Sequence, residues 1–194
     1  MFDYSEAQSQ REIDLIPHGT IAILQLTLRP GGVGEDGMLK RSQDGLCEML
    51  DLEFTVVGGE FTRRKFWERF VLDGTTDGHK TATKISRGKL RDILDSALGI
   101  KPDDVSREAR AARTVKLADF DGIRFMGKIG VKRGNKKGNG EGNYSDSNYL
   151  LTVVTPDRKD WRAVEQTPRS PQVSNAPGNA PTASMAVPRP TWAP

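Results

Sequence analysis

Every second residue from 63 to 69 carries a cation or an indole: Arg63, Lys65, Trp67 and Arg69. In a strand these four share one face, with Phe66 and Phe70 on the other. A basic face with a large ring in its middle suits single-stranded nucleic acid. The ring stacks on an unpaired base, worth roughly 1–3 kcal/mol per base, and the cations meet phosphates. A second cationic stretch, Arg124 to Gly140, contains Arg124, Lys128, Lys132, Arg133, Lys136 and Lys137 and no acid. Glycines at 134, 138 and 140 let its backbone approach a polyanion closely. Tyr144 and Tyr149 flank this loop and are further stacking candidates. Two plainer readings stand beside these. Trp67 could instead fill the core of a closed barrel, and the basic loop could be a solvated hairpin tip. If the turn after Val57 takes three residues, Glu53 falls opposite Lys65 and Asp51 opposite Trp67, and both acids then neutralise part of the face.

Other chemistry is poorly supported. Gly32-Val-Gly-Glu-Asp-Gly37 matches G-x-G-x-x-G, but no βαβ unit surrounds it, so a mobile loop is expected there. Asp73, Asp77 and His79 have too few ligands at calcium-loop spacing, and turn chemistry explains them better. One cysteine (Cys47) and two histidines (His18, His79) supply neither a disulfide nor a structural zinc site. No nucleophile-and-base pair stands out, so no catalytic residue, metal or cofactor is expected. Asp119 and Asp121 are the one close acidic pair near basic strand residues, and they carry the less favoured alternative of a metal-dependent nuclease.

The elements that position these residues follow from hydrophobic period. Alternation at Ala22, Leu24, Leu26 and Leu28 predicts a first strand over 19–28. A second covers 46–57, with Leu46, Leu50, Leu52, Phe54 and Val56 on one face and Cys47 on the other. Gly58-Gly59 reverses the chain into a third over 63–72. Ile85, Leu90, Ile93, Leu94, Ala97 and Leu98 then recur at three and four residues, an amphipathic helix ending at Gly99. A short second helix is expected within 103–112. Ile123, Phe125, Ile129 and Val131 face inward in a fourth strand, with Arg124, Met126, Lys128 and Lys132 outward, and Tyr149–Thr155 forms the last. The prediction is a mainly β (α+β) fold: an OB-like five-stranded barrel with a helix between its third and fourth strands.

Composition sets the limits of that domain. The chain has 194 residues and a formal net charge of +3, with 36% hydrophobic residues. Seven of its 11 prolines, but only Arg169 and Arg189 among charged residues, lie between Pro168 and Pro194. This low-complexity segment is expected to be disordered. The expected organisation is a flexible N-terminus over 1–14, a nucleic-acid-binding domain over 15–156 and a Pro-rich tail over 157–194. Residues 1–14 are polar and do not fit a signal peptide, and no apolar run approaches the length of a membrane span. A reducing cytoplasm is the expected location.

The run from Met49 to Phe70 resembles a block of small phage-encoded proteins, in which an apolar strand leads through Gly-Glu-aromatic to Arg-Lys-apolar-Trp-acid. Pro17-His18-Gly19-Thr20-Ile21, Gly127-Lys-Ile-Gly-Val-Lys132, the Gly/Asn/Lys loop and Asn148-Tyr149-Leu150 fall in the same order, so the likeness covers roughly residues 13–156. The resemblance implies an OB-fold protein that binds single-stranded DNA in phage replication or recombination, within the host bacterial cytoplasm. One departure is the tail. Such proteins often end in acids that recruit enzymes, whereas no acid follows Gln166 here. The tail nevertheless remains the candidate contact for phage replication or recombination proteins, and homo-oligomers are compatible with the role. The alternative from another class is an interaction adaptor that uses the sheet and the Pro-rich tail to bind a protein.

Overall fold

Nine residues of alternating burial, Ile21–Arg29, form β1 and turn Leu24, Leu26 and Leu28 inward. The structure is a computed structural model that describes residues 14–135 and 144–166. After β1 the chain makes a small glycine-rich hairpin, in which Val33 bridges Leu39, and enters β2 (Lys40–Arg41). Then come β3 (Cys47–Val56), β4 (Lys65–Gly74), α1 (Asp77–Leu98), α2 (Arg107–Ala112), β5 (Arg124–Lys132) and β6 (Ser147–Val153). The G-x-G-x-x-G segment opens no helix. Its ends meet through Gly32 N–H donating to the Gly37 carbonyl at 2.9 Å.

All ladders are antiparallel. β3 pairs with β2 and β4 as well as β1, and β1 continues through β5 to β6. The fold is mainly β, as the sequence predicts, but the described residues form six strands rather than five. The expected closed barrel is not formed by backbone pairing, because β4 and β6 share no ladder and the sheet stays open between them. Side chains span this gap. Glu68 Oε2 accepts the Leu150 N–H at 3.0 Å, and Lys89 Nζ donates to the Leu150 carbonyl at 2.9 Å and to Glu68 Oε1 at 2.8 Å. An ion pair from β4 and α1 thus satisfies both backbone groups of one β6 residue. Unpaired buried backbone would otherwise carry a desolvation cost.

Phe54 occupies the centre of the core, stacked on Phe66 at 5.1 Å between centroids and edge-on to Phe125 at 6.1 Å. Leu24, Leu26, Leu50, Leu52, Ile129 and Leu150 surround it, all fully buried. From α1, Leu90, Ile93, Leu94 and Ala97 join this core, while Ile85 and Leu98 stay exposed. The helix starts two turns before its apolar pattern does, where Thr76 caps it by accepting the His79 N–H at 3.2 Å. Gly99 ends it in the left-handed conformation (φ 71°). One assignment in β3 differs: Cys47, expected outward, is buried though outside the hydrophobic cluster, and Leu46, expected inward, is exposed. Here Glu48 pairs with Asp73 but Met49 with Val71, so Leu72 is an extra, bulged residue of β4, and Leu46 lies before the first residue of β3.

The chain stays packed beyond residue 156, where the tail was expected to begin. Trp161 lies against Gly99 and donates its indole N–H to the Ser96 carbonyl at 3.1 Å. Gln166 exchanges two hydrogen bonds with the backbone of Arg124 and donates to Ala97 as well. Residues 157–166 therefore strap the C-terminal end of α1 to the start of β5. Expectations for 1–13 and 167–194 lie outside the described residues.

Candidate nucleic-acid interface

The β3–β4 hairpin sets the outward face of the sheet. Val56 donates to the Arg64 carbonyl and accepts from the Arg63 N–H, with Arg63 in the left-handed region (φ 70°). This turn is longer than the three residues considered above, so Glu53 pairs with Trp67 and Asp51 with Arg69, a shift of two positions. Because β1 adds Thr27 opposite Glu53 and Arg29 opposite Asp51, two rows cross the sheet: Thr27–Glu53–Trp67 and Arg29–Asp51–Arg69.

Trp67 is 53% exposed, which removes the reading of this residue as barrel core. Its orientation is fixed nonetheless. The indole N–H donates to Glu53 Oε2 at 3.1 Å, and the Arg29 guanidinium lies over the ring, 5.9 Å from its centroid. Lys65 Nζ meets Glu53 Oε1 at 2.5 Å, and Arg29 lies 3.2 Å from Oε2. The Lys65 hydrogen bond above all holds the Glu53 carboxyl below its usual range. Burial opposes it, and the Trp67 bond and the charges of Lys65 and Arg29 reinforce it. Glu53 therefore ties down a ring and two cations together. Arg29 and Glu53 were not among the sequence candidates, although the strand parity of β1 and β3 places both on this face.

Beside Trp67 the open seam between β4 and β6 forms a groove of about 820 Å³. Trp67, Glu68 and Arg69 line one wall and Ser147, Asn148 and Tyr149 the other, with Lys132, Lys89 and Asp51 around them. Four sequence candidates thus meet in one place: Trp67, Arg69, Lys132 and Tyr149. The Tyr149 ring lies across Gly130, where a Cβ would come 2.5 Å from Cε1, so glycine is what lets the ring sit flat on β5. Arg69 and Lys132 are exposed and have no ion-pair or hydrogen-bonding partner among the described residues, unlike Lys89 and Lys65. The groove therefore holds two uncommitted cations between two aromatic rings.

The remaining candidates fall elsewhere. Arg63 is exposed at the hairpin turn, off the strand face, and Arg133 is exposed just past Lys132. Arg124 is engaged by Gln25 Oε1 at 3.1 Å, Lys128 is half-buried near Gly19, and Met126 between them is buried. The outward face of β5 is accordingly not a continuous basic row. Tyr144 is 61% exposed on the loop leading into β6. Lys136 and Lys137 lie outside the described residues.

The acidic pair has structural work in turns. Asp121 Oδ1 accepts the Leu28 N–H at 2.9 Å and Asp119 Oδ2 the Lys116 N–H at 2.9 Å. Among the described residues no group of three or more His, Cys, Asp or Glu side chains is placed to hold a metal ion. No helix among them is long and apolar enough to cross a membrane. No family model and no curated protein matches the chain.

Proposed function

We propose that this chain is a non-enzymatic, sequence-tolerant single-stranded-DNA-binding protein with an OB-like domain. The observation that carries the reading is the half-exposed Trp67, pinned by Glu53 and Arg29, at the mouth of a groove holding Arg69, Lys132 and Tyr149. A duplex buries its bases, so an exposed ring presented beside a groove favours unpaired strands. The strand order, with α1 following β4 and lying against the β4–β6 seam, supports the OB-like assignment. In this reading the strand runs along the seam. Bases stack on Trp67 and Tyr149, and phosphates meet Arg69 and Lys132, with Arg133 and the adjoining loop beyond. The likeness to phage replication and recombination proteins supports action on host-cytoplasmic DNA intermediates, with the C-terminal segment as the contact for other proteins of that process.

Fluorescence anisotropy of labelled single-stranded DNA, single-stranded RNA and duplex DNA at low salt tests this reading. Saturable binding of the single strand, several-fold tighter than the duplex, is expected. No binding, or equal affinity for duplex, overturns it.

A further inference from the structure

The acids beside the groove differ in how much of their acceptor capacity is already used. Glu53 accepts from Lys65 and Trp67 and pairs with Arg29. Glu68 accepts from Lys89 at one oxygen and from Leu150 N–H at the other. Asp51 is different. Its Oδ2 lies 3.5 Å from Lys40 Nζ, and its Oδ1 has no partner among the described residues. It lines the groove, across the ladder from Arg69, on the outward pair next to Glu53–Trp67.

An ionised carboxylate only accepts hydrogen bonds. Placed beside a stacking ring, it meets the edge of whatever base lies on that ring. The four bases offer it different edges. Guanine presents two adjacent donors, N1–H and the N2 amino group, that match two carboxylate oxygens, with O6 beside them as an acceptor for an ammonium. Thymine presents one N–H between two carbonyls, so its second carbonyl meets the second carboxylate oxygen lone pair against lone pair. Adenine and cytosine present a single amino group next to an acceptor nitrogen. Only guanine offers donor, donor and acceptor in the order that Asp51 with Lys40 complements.

We propose that Asp51, backed by Lys40, makes the position beside Trp67 selective for guanine within an otherwise tolerant groove. The inference rests on the single-strand reading above and names the base that its stacking site prefers.

The test titrates the full chain, by fluorescence anisotropy in a lithium buffer that disfavours quadruplexes, with oligo-dT and with alternating oligomers of thymine and a second base. Guanine as the second base is expected to bind about five- to tenfold tighter than oligo-dT, the lower range for a paired base contact. Hypoxanthine, which lacks the N2 amino group, is expected to lose most of that gain, and adenine controls for purine stacking. Asp51→Asn is expected to level guanine with hypoxanthine, read as the ratio of the two affinities within the variant. Equal affinity for guanine and hypoxanthine in the wild type, or an unchanged preference in Asp51→Asn, overturns the assignment while oligo-dT binding still stands. Loss of binding to every oligomer, oligo-dT included, overturns the single-strand reading itself.

Discussion

Glu68 and Leu150 join the two unpaired strands of the sheet: the carboxylate Oε2 accepts the Leu150 N–H at 3.0 Å, where a neighbouring strand would otherwise supply a carbonyl. Lys89 completes the join by donating to the Leu150 carbonyl. Removing the carboxylate leaves the Leu150 N–H without its acceptor and Lys89 without its ion-pair partner. Glu68→Ala is expected to destabilise the domain by about 1–3 kcal/mol. Amide hydrogen exchange at Leu150 should accelerate while exchange in β1 and β3 stays slow at the same net stability. Unchanged exchange at Leu150 would mean that the ion pair does not hold the seam.

The outward face, opposite in parity to Glu68, carries its own carboxylate, Glu53, whose role is to orient a ring. Trp67→Ala is expected to weaken single-strand binding by more than tenfold, the low-to-middle range of a lost stacking contact. The domain should stay folded by circular dichroism, because a ring so exposed contributes little to the core.

Glu53 makes that orientation pH-dependent. Its pKa is lowered in the fold, principally by the Lys65 hydrogen bond, so the carboxylate's stabilisation is complete above the ordinary carboxylate range. It declines as pH falls below the unfolded value, near 4.5, and is gone below the depressed folded value. Glu53→Gln should cost about 1–3 kcal/mol at neutral pH. The gap between wild type and variant in urea unfolding should close as the solution is acidified through that window. A gap independent of pH would assign the cost to packing rather than to charge.

Arg69 and Lys132 are the two groove cations without an ion-pair partner among the described residues, so they should dominate the salt response. Each phosphate neutralised contributes about −0.7 to the slope of log K against log salt on single strands. Arg69→Ala and Lys132→Ala should each flatten that slope by roughly this amount. Lys65→Ala should change it less, because Glu53 already neutralises Lys65. If Lys65→Ala has the larger effect, the strand follows the hairpin rather than the seam.

Much of this face is legible in the sequence, because a period of two survives wherever strands are regular. Lys65, Trp67 and Arg69 fall outward and Phe66 and Phe70 inward, as their spacing requires. What is not legible depends on register between distant segments. The placement of Arg29 over Trp67 follows from the pairing of β1 with β3, and the partners of Glu53 follow from the length of one hairpin turn. Strand ends hide residues in a different way, since Leu46 lies before the first residue of β3 and is exposed where continued alternation would put it inward. The first two turns of α1 are polar, so only the cap at Thr76 marks their start. The strap over 157–166 has no apolar period at all, because Trp161 and Gln166 hold it through side-chain hydrogen bonds to backbone.

The α1–α2 connection depends on one buried ion pair. Asp95 has no exposed surface, and Arg113 reaches it with Nε at 2.6 Å from Oδ1 and Nη2 at 3.1 Å from Oδ2. Arg113 also donates to the carbonyls of Lys101 and Asp104, so one guanidinium holds the whole turn between the helices. Arg91, at 3.7 Å, is half-exposed and too distant to replace it. Arg113→Ala leaves a buried carboxylate largely uncompensated and is expected to cost about 3–5 kcal/mol of stability. Arg113→Lys should rescue little, since an ammonium cannot reproduce the forked geometry. Asp95→Asn combined with Arg113→Met should recover part of the loss, because the charge that needs compensation is gone. Chemical denaturation of the four proteins checks this order. Single-strand affinity measured under folding conditions should be the same for all four, because neither residue lines the groove.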